Sequence, residues 1–232
     1  MKQPDKAAVK AFYDKHYYAN VIGAGEPTTH HRQLAKRIAL GKGDKVLDVA
    51  CGTGAWLKAA QKRGAEVSGI DLSERAIEFC RWDNSGGQYF CQSADSPPFE
   101  TGYFDWVTCL GSLEHFPEKS ESLAEMARVM KPGGHLLISV PNSEFVGYLT
   151  GLYRGTNQAQ VIETPLKISE WEALGEGAGL TLERKWRDLH FMNRDWILQN
   201  GWSKALPRLV AASVIAVLPM RLQYQVYFCF RK

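Results

Sequence analysis

Along the first two thirds of the chain, short apolar runs alternate with segments whose apolar residues recur at helical spacing. The runs fall at Lys45–Ala50, Glu66–Ile70, Gln88–Cys91, Phe104–Cys109 and His135–Val140. "HLLISV" and "WVTCL" are apolar at nearly every position, which predicts strands buried on both faces. Between them, Ala55–Arg63 reads as a helix ended by Gly64, and Ser73–Arg81 as a helix with Ser73 as its N-cap. Ser120–Met130 reads as a third helix, stopped by "KPGG" at Lys131–Gly134. Strand–helix–strand repetition needs right-handed crossovers, and these build a parallel sheet covered on both faces. The predicted fold class is therefore α/β, doubly wound. Two helices are expected in the first forty residues. After Val140 the pattern loosens: residues 141–167 predict a cover over the ligand edge, followed by a helix at Ser169–Ala178 and a strand at Leu180–Trp186. Residues 194–218 look helical again, and "QYQVYFCF" alternates as a closing strand.

Composition adds boundaries to this picture. The 232 residues are 45% hydrophobic and 23% charged, the profile of one soluble globular domain with a sizeable core. A net charge of +3 with scattered basic residues gives no reason to expect a nucleic-acid partner. The five cysteines form no CxxC pair and read as reduced thiols. The N-terminal residues lack a signal-type apolar core, and no stretch approaches the ~20 apolar residues of a membrane span. The expected location is cytoplasmic.

The chemistry begins with "VLDVACGTG" at Val46–Gly54. Gly52 and Gly54 allow a tight turn and close approach to a ligand. The helix beginning near Ala55 would point its N–H groups at an anionic or carboxylate-bearing molecule. A nicotinamide dinucleotide would call for GxGxxG, but here Leu57 stands where the third glycine belongs. Asp71, in "GIDLS", lies about twenty residues beyond the loop, where a carboxylate can accept both hydroxyls of a ribose. Leu72 offers an apolar face to a purine. Asp95 sits where a carboxylate could accept from an exocyclic amine, and the fourth strand ends at Leu110–Gly111 before Glu114 and His115. Plainer duties stand beside these: Asp48 as a loop cap, Asp71 as a neighbour of a helix cap, Asp95 as a turn residue.

Taken in order, "VLDVACGTG", "GIDLS", "FDWVTCLGSLEHF" and "VMKPGGHLLISVPN" resemble the successive motifs of class I S-adenosylmethionine-dependent methyltransferases. The branch is similar to the ubiquinone and menaquinone biosynthesis enzymes. The resemblance covers roughly residues 30–182 and implies a Rossmann-like seven-stranded sheet with an antiparallel last strand. It implies S-adenosyl-L-methionine as cofactor, with Ala50, Gly52 and Gly54 contacting its methionine part and Asp48 fixing the loop. It further implies Asp71 on the ribose, Leu72 and Asp95 on the adenine, and the backbone around Leu110 near the sulfonium. His30 or Arg32 would meet the cofactor carboxylate; the spacing leaves open which. The expected organisation is a single domain: residues 1–40 as an N-terminal helical cap, 41–140 as the cofactor-binding core, 141–168 and 187–222 as substrate cover and helical lid or insert.

A hydroxyl acceptor gains from a general base, and His115 on the cofactor side of the fourth strand is the candidate. A surface or helix-start histidine is the plainer alternative, and Glu114 reads as structural. The histidines do not combine with carboxylates or thiols at metal-site spacing. The acceptor is expected to be a small-molecule or lipid-linked substrate, approached by Tyr148, Tyr153, Arg154 and Asn157. Leu209–Leu218 is almost uniformly apolar. That predicts a lid helix packed on the domain, at a homodimer seam, or a peripheral membrane contact through 196–218 with Trp196 and Trp202 as anchors.

Overall fold

The computed structural model describes residues 6–19, 21, 23, 25–84, 86–151, 153, 163–192, 197–198 and 205–232. Arg154, Asn157, Trp196 and Trp202 lie outside them. The chain opens with α1 (Lys6–Phe12), which runs into a π-helical turn at Tyr13–Tyr17, then α2 (Thr29–Arg37). The core follows as β1 (Lys45–Val49), α3 (Ala55–Gln61), β2 (Glu66–Asp71), α4 (Glu74–Asp83), β3 (Gln88–Cys91), β4 (Phe104–Leu110), α5 (Lys119–Val129) and β5 (Met130–Pro141). Beyond it come α6 (Val146–Leu149), α7 (Ile168–Gly177), β6 (Thr181–Arg187), α8 (Ala205–Val217) and β7 (Gln225–Arg231).

The seven strands lie in the order β3-β2-β1-β4-β5-β7-β6. β1 pairs in parallel with β2 on one side and β4 on the other, so the strand order reverses at β1, and its carboxyl end is the crevice where such sheets hold ligands. β7 is antiparallel to both β5 and β6. Alternating side chains feed two cores. Val46, Leu137 and Cys229 join Leu34, Trp56 and Leu57 on one face; Leu47, Ile138 and Phe228 join Leu123, Met126 and Trp171 on the other. Period-2 strands between helices that bury an i, i+3, i+4 stripe give this double layer.

Two local outcomes refine the sequence reading. Ser73 does cap α4, accepting from the Ala76 N–H at 3.2 Å. α5 ends at Val129 and the chain is already extended at Met130, so "KPGG" lies within β5 rather than stopping the helix. Phe104 pairs with Met130 and Trp106 with His135, so residues 131–134 form a bulge, with Gly133 at φ +78°. A left-handed glycine is what lets extra residues fit opposite a regular strand.

Candidate functional site

The loop after β1 is built by two buried carboxylates. Asp71, 8% exposed at the end of β2, accepts from the Gly52 N–H and the Ser73 N–H, each at 2.9 Å. It therefore clamps the glycine loop to the N-terminus of α4. Burial pushes its carboxyl above the usual range, opposed by those two N–H groups. Asp48 lies deeper, and the hydrogen bond it receives comes from the Thr108 hydroxyl at 2.6 Å; that oxygen in turn accepts from the Trp56 indole at 3.0 Å. Burial pushes Asp48 up to about 7. The loop-fixing duty expected of Asp48 thus falls to Asp71, while Asp48 ties β1 through β4 to α3. Ala50 and Gly54 take left-handed conformations, φ +59° and +81°. A Cβ on Gly54 would stand 3.0 Å from Cys80 Sγ, so the loop is packed from below as well as bent. Because α3 is only seven residues long, its dipole adds little, and the side-chain clamp does most of the organising.

Above the loop lies a cavity open to solvent on one side and lined by residues of the strand ends and of the N-terminal segment. Ala50, Asp71, Leu72, Asp95 and His115 all line it. Gly52, Gly54 and Leu110, expected at the cofactor, are not among the lining residues; of the loop Ala50 reaches the cavity, and beyond β4 the wall is made by Gly111 and Ser112. Its roof is the N-terminal segment, with Val9, Tyr13, Tyr17 and Tyr18 facing in. Side chains tie the roof down. Lys6 pairs with Asp95, Lys10 donates to the Leu72 carbonyl at 3.0 Å, and the Ser73 hydroxyl donates to Asp14 at 2.6 Å. Burial, with Asp71 nearby, pushes Tyr13 up to about 12, so its phenol stays protonated. Lys6 holds Asp95 below the usual carboxylate range despite partial burial.

Neither basic residue expected on a cofactor carboxylate lines this cavity. Arg32 spends its guanidinium on the Pro27 carbonyl (2.7 Å) and the Thr29 hydroxyl (3.3 Å), because the N-terminal turn of its own helix is within easier reach. His30 shares a 2.7 Å hydrogen bond with the Tyr227 hydroxyl, beside Asp188 and His190 at the end of β6. The residues that sequence reasoning missed are the roof tyrosines and Lys6. The run "FYDKHYY" was the available signal, but nothing in its spacing says that it folds back over β1. Among the described residues no group of three or more His, Cys, Asp or Glu is arranged to hold a metal ion.

The cavity fits the adenosyl ligand that the motifs imply. Asp71 is a buried acceptor at its wall, Leu72 is an apolar neighbour, Asp95 is a second acceptor, and the loop after β1 meets the cavity at Ala50. Comparison with known proteins agrees. Residues 47–138 match the family described as Methyltransferase domain. A ubiquinone biosynthesis O-methyltransferase from Coxiella burnetii is 32% identical over 165 residues, covering 65% of this chain and 69% of that protein. Among solved structures, the [4+2]-cyclase SpnF shares the fold at TM-score 0.66 and 18% identity, over 100% of this chain and 97% of that one. The magnesium protoporphyrin IX methyltransferase ChlM from Synechocystis PCC 6803, with bound SAH, does so at TM-score 0.63 and 17% identity, over 98% and 100%.

Proposed function

The chain belongs to the class I S-adenosylmethionine-dependent methyltransferases, related to the ubiquinone biosynthesis O-methyltransferases, and from that premise we propose a hydroxyl oxygen as acceptor, with His115 as general base. The observation carrying this reading is that His115 lines the same cavity as Asp71, Leu72 and Asp95. One cleft thus gathers the adenosyl-binding wall and a group able to take a proton. When bound, S-adenosyl-L-methionine supplies a methyl group on a good leaving group. The chain's own contribution is chiefly to position and enclose. Asp71 and the loop it clamps hold one reactant, the roof tyrosines exclude water, and His115 faces the space left for the other. Near-attack positioning of this kind can lower a barrier by ~7–11 kcal/mol.

The relative's name supports an oxygen acceptor, and an aromatic cluster in the segment after β5 supports an aromatic or lipid-like one. Phe145, Tyr148, Tyr153 and Tyr224 pack with centroids 5.2–6.3 Å apart, edge-on except for the tilted Tyr148–Tyr224 pair. The apolar outer face of α8 supports a lipid-linked substrate met at a membrane surface, through the segment that contains α8. The test is turnover on a panel of phenolic, quinone-precursor and sugar hydroxyls with product mapped by mass spectrometry. His115→Ala is expected to retain cofactor binding and lose turnover by about 100-fold or more. Unchanged turnover removes the base, and a methyl mapped to nitrogen or carbon replaces the acceptor class.

A further inference from the structure

The N-terminal segment runs the length of the cavity, and its contacts fix which part of an adenosyl ligand each residue covers. Lys6 pairs with Asp95 and Lys10 donates to the Leu72 carbonyl, so α1 lies over the end that takes the adenine. At the other end, a Cβ on Gly52 would stand 3.0 Å from the Tyr18 hydroxyl, which puts Tyr18 over the loop that takes the methionine part. Tyr13 lies between, within electrostatic reach of both Asp71 at the end of β2 and Glu114 beyond β4. The middle of the ligand, where sulfur joins the ribose to the methionine chain, therefore falls beneath Tyr13 and Tyr17.

The chain makes a π-helical turn at this point, closed by the Tyr18 N–H donating to the Tyr13 carbonyl at 2.8 Å. Such turns are rare and collect at functional sites. This one gathers three phenol rings, with centroids 5.4 Å apart for Tyr13–Tyr17, 4.9 Å for Tyr17–Tyr18 and 6.4 Å for Tyr13–Tyr18. Their planes cross at 64°, 73° and 38°, so they form the walls of a corner rather than a stack. All three line the cavity. The two carboxylates nearest them on the ligand wall have other work: Asp71 accepts from the Gly52 and Ser73 N–H groups, and Asp95 pairs with Lys6. The negative face of an aromatic ring attracts a cation without any counter-ion, most strongly where water is excluded.

We propose that Tyr13, Tyr17 and Tyr18 form an aromatic cage for the sulfonium of S-adenosyl-L-methionine, by which this chain distinguishes the charged cofactor from its neutral product. The inference rests on the reading of the cavity as the adenosyl site. The attraction fades as charge leaves sulfur during transfer. It therefore tightens cofactor binding and eases product release, and adds nothing to the rate of the chemical step.

The test is calorimetric and needs neither acceptor nor turnover. S-adenosylmethionine and S-adenosylhomocysteine are titrated separately into wild type, Tyr13→Leu and Tyr13→Phe. Tyr13→Leu is expected to lose about 3- to 30-fold in affinity for S-adenosylmethionine relative to S-adenosylhomocysteine. Tyr13→Phe keeps the ring and should hold the wild-type ratio within about twofold. Tyr17, whose ring is 38% exposed, supplies a second variant should Tyr13→Leu fold poorly, and Tyr17→Leu should move the ratio the same way by about 2- to 5-fold. A ratio unchanged in the leucine variants, or lost in Tyr13→Phe as fully as in Tyr13→Leu, overturns the cage and leaves the adenosyl site standing. Failure of wild type to bind either ligand would instead overturn the site, and the cage with it.

Discussion

Asp71 carries more of the site than any other side chain, because one carboxylate both clamps the Gly52 loop and faces the cavity. Replacing it with alanine removes charge-assisted bonds of ~1.5–3 kcal/mol each. Asp71→Ala is therefore expected to weaken S-adenosylhomocysteine binding by about 10- to 100-fold; an unchanged affinity by calorimetry would place the ribose elsewhere. A second cluster lies at the end of β6, where His30 and His190 flank Asp188, itself 5% exposed. Asp188 raises the His190 value, whereas burial lowers that of His30. The signs follow. A raised histidine adds stability that is fully present below its ordinary 6.5 and fades as pH climbs through the folded value. A lowered one adds stability present above 6.5 and lost as pH falls. Asp188→Asn removes the anion both imidazoles face. The thermal-melt advantage of wild type over this variant should be widest near pH ~6 and narrow towards pH ~9, where both rings are neutral. An advantage that stays flat or widens with pH would contradict the pairing.

The glycine loop and α8 show how differently sequence pattern translates into elements. Gly54 was legible because only its type of residue holds φ +81° cheaply. A left-handed non-glycine costs roughly 1–2 kcal/mol, and the added Cβ would press on Cys80 Sγ. Gly54→Ala should lower both melting temperature and cofactor affinity, and a variant matching wild type in both would mean the loop relaxes freely. The apolar run Leu209–Leu218 was legible as a helix but not in its placement. α8 is fastened at its C-terminal end, where Arg187 donates to the Ala216 carbonyl and Gln223 to the Ile215 and Leu218 carbonyls. Ala212 is fully buried, while Leu206, Val210, Val214 and Val217 are 54–80% exposed. A lid packed on the domain on all sides is therefore not what forms. Hydropathy alone could not say this, since a uniformly apolar helix has no polar face to orient it. Serines at 206, 210, 214 and 217 should leave the melting temperature within about 2 °C, as surface changes do. If membrane contact is the role of this face, they should also abolish co-sedimentation with liposomes. A large loss of stability would show instead that the face packs against protein.

Across the whole molecule, the strands and their parallel core followed from periodicity, because burial on both faces leaves strands apolar throughout and crossovers dictate the rest. That these residues line one cavity was legible too, since Ala50 follows β1, Asp71 and Leu72 lie at the end of β2, and Asp95 lies in the loop after β3, and a doubly wound sheet gathers such ends at one edge. The roof was not. Lys6 reaches Asp95 across 89 residues of sequence, and no local pattern encodes a contact of that separation. Arg32 failed for the converse reason: its position on α2 was legible, but not the local carbonyl that takes its guanidinium. The account stands on the Asp71-clamped loop as the seat of the adenosyl group. Calorimetric titration of wild-type protein with S-adenosylhomocysteine tests that most directly. One saturable site per chain is expected, weakened in Asp71→Ala and silent when NAD replaces the ligand, whereas no heat with S-adenosylhomocysteine, or saturable heat with NAD, would contradict it.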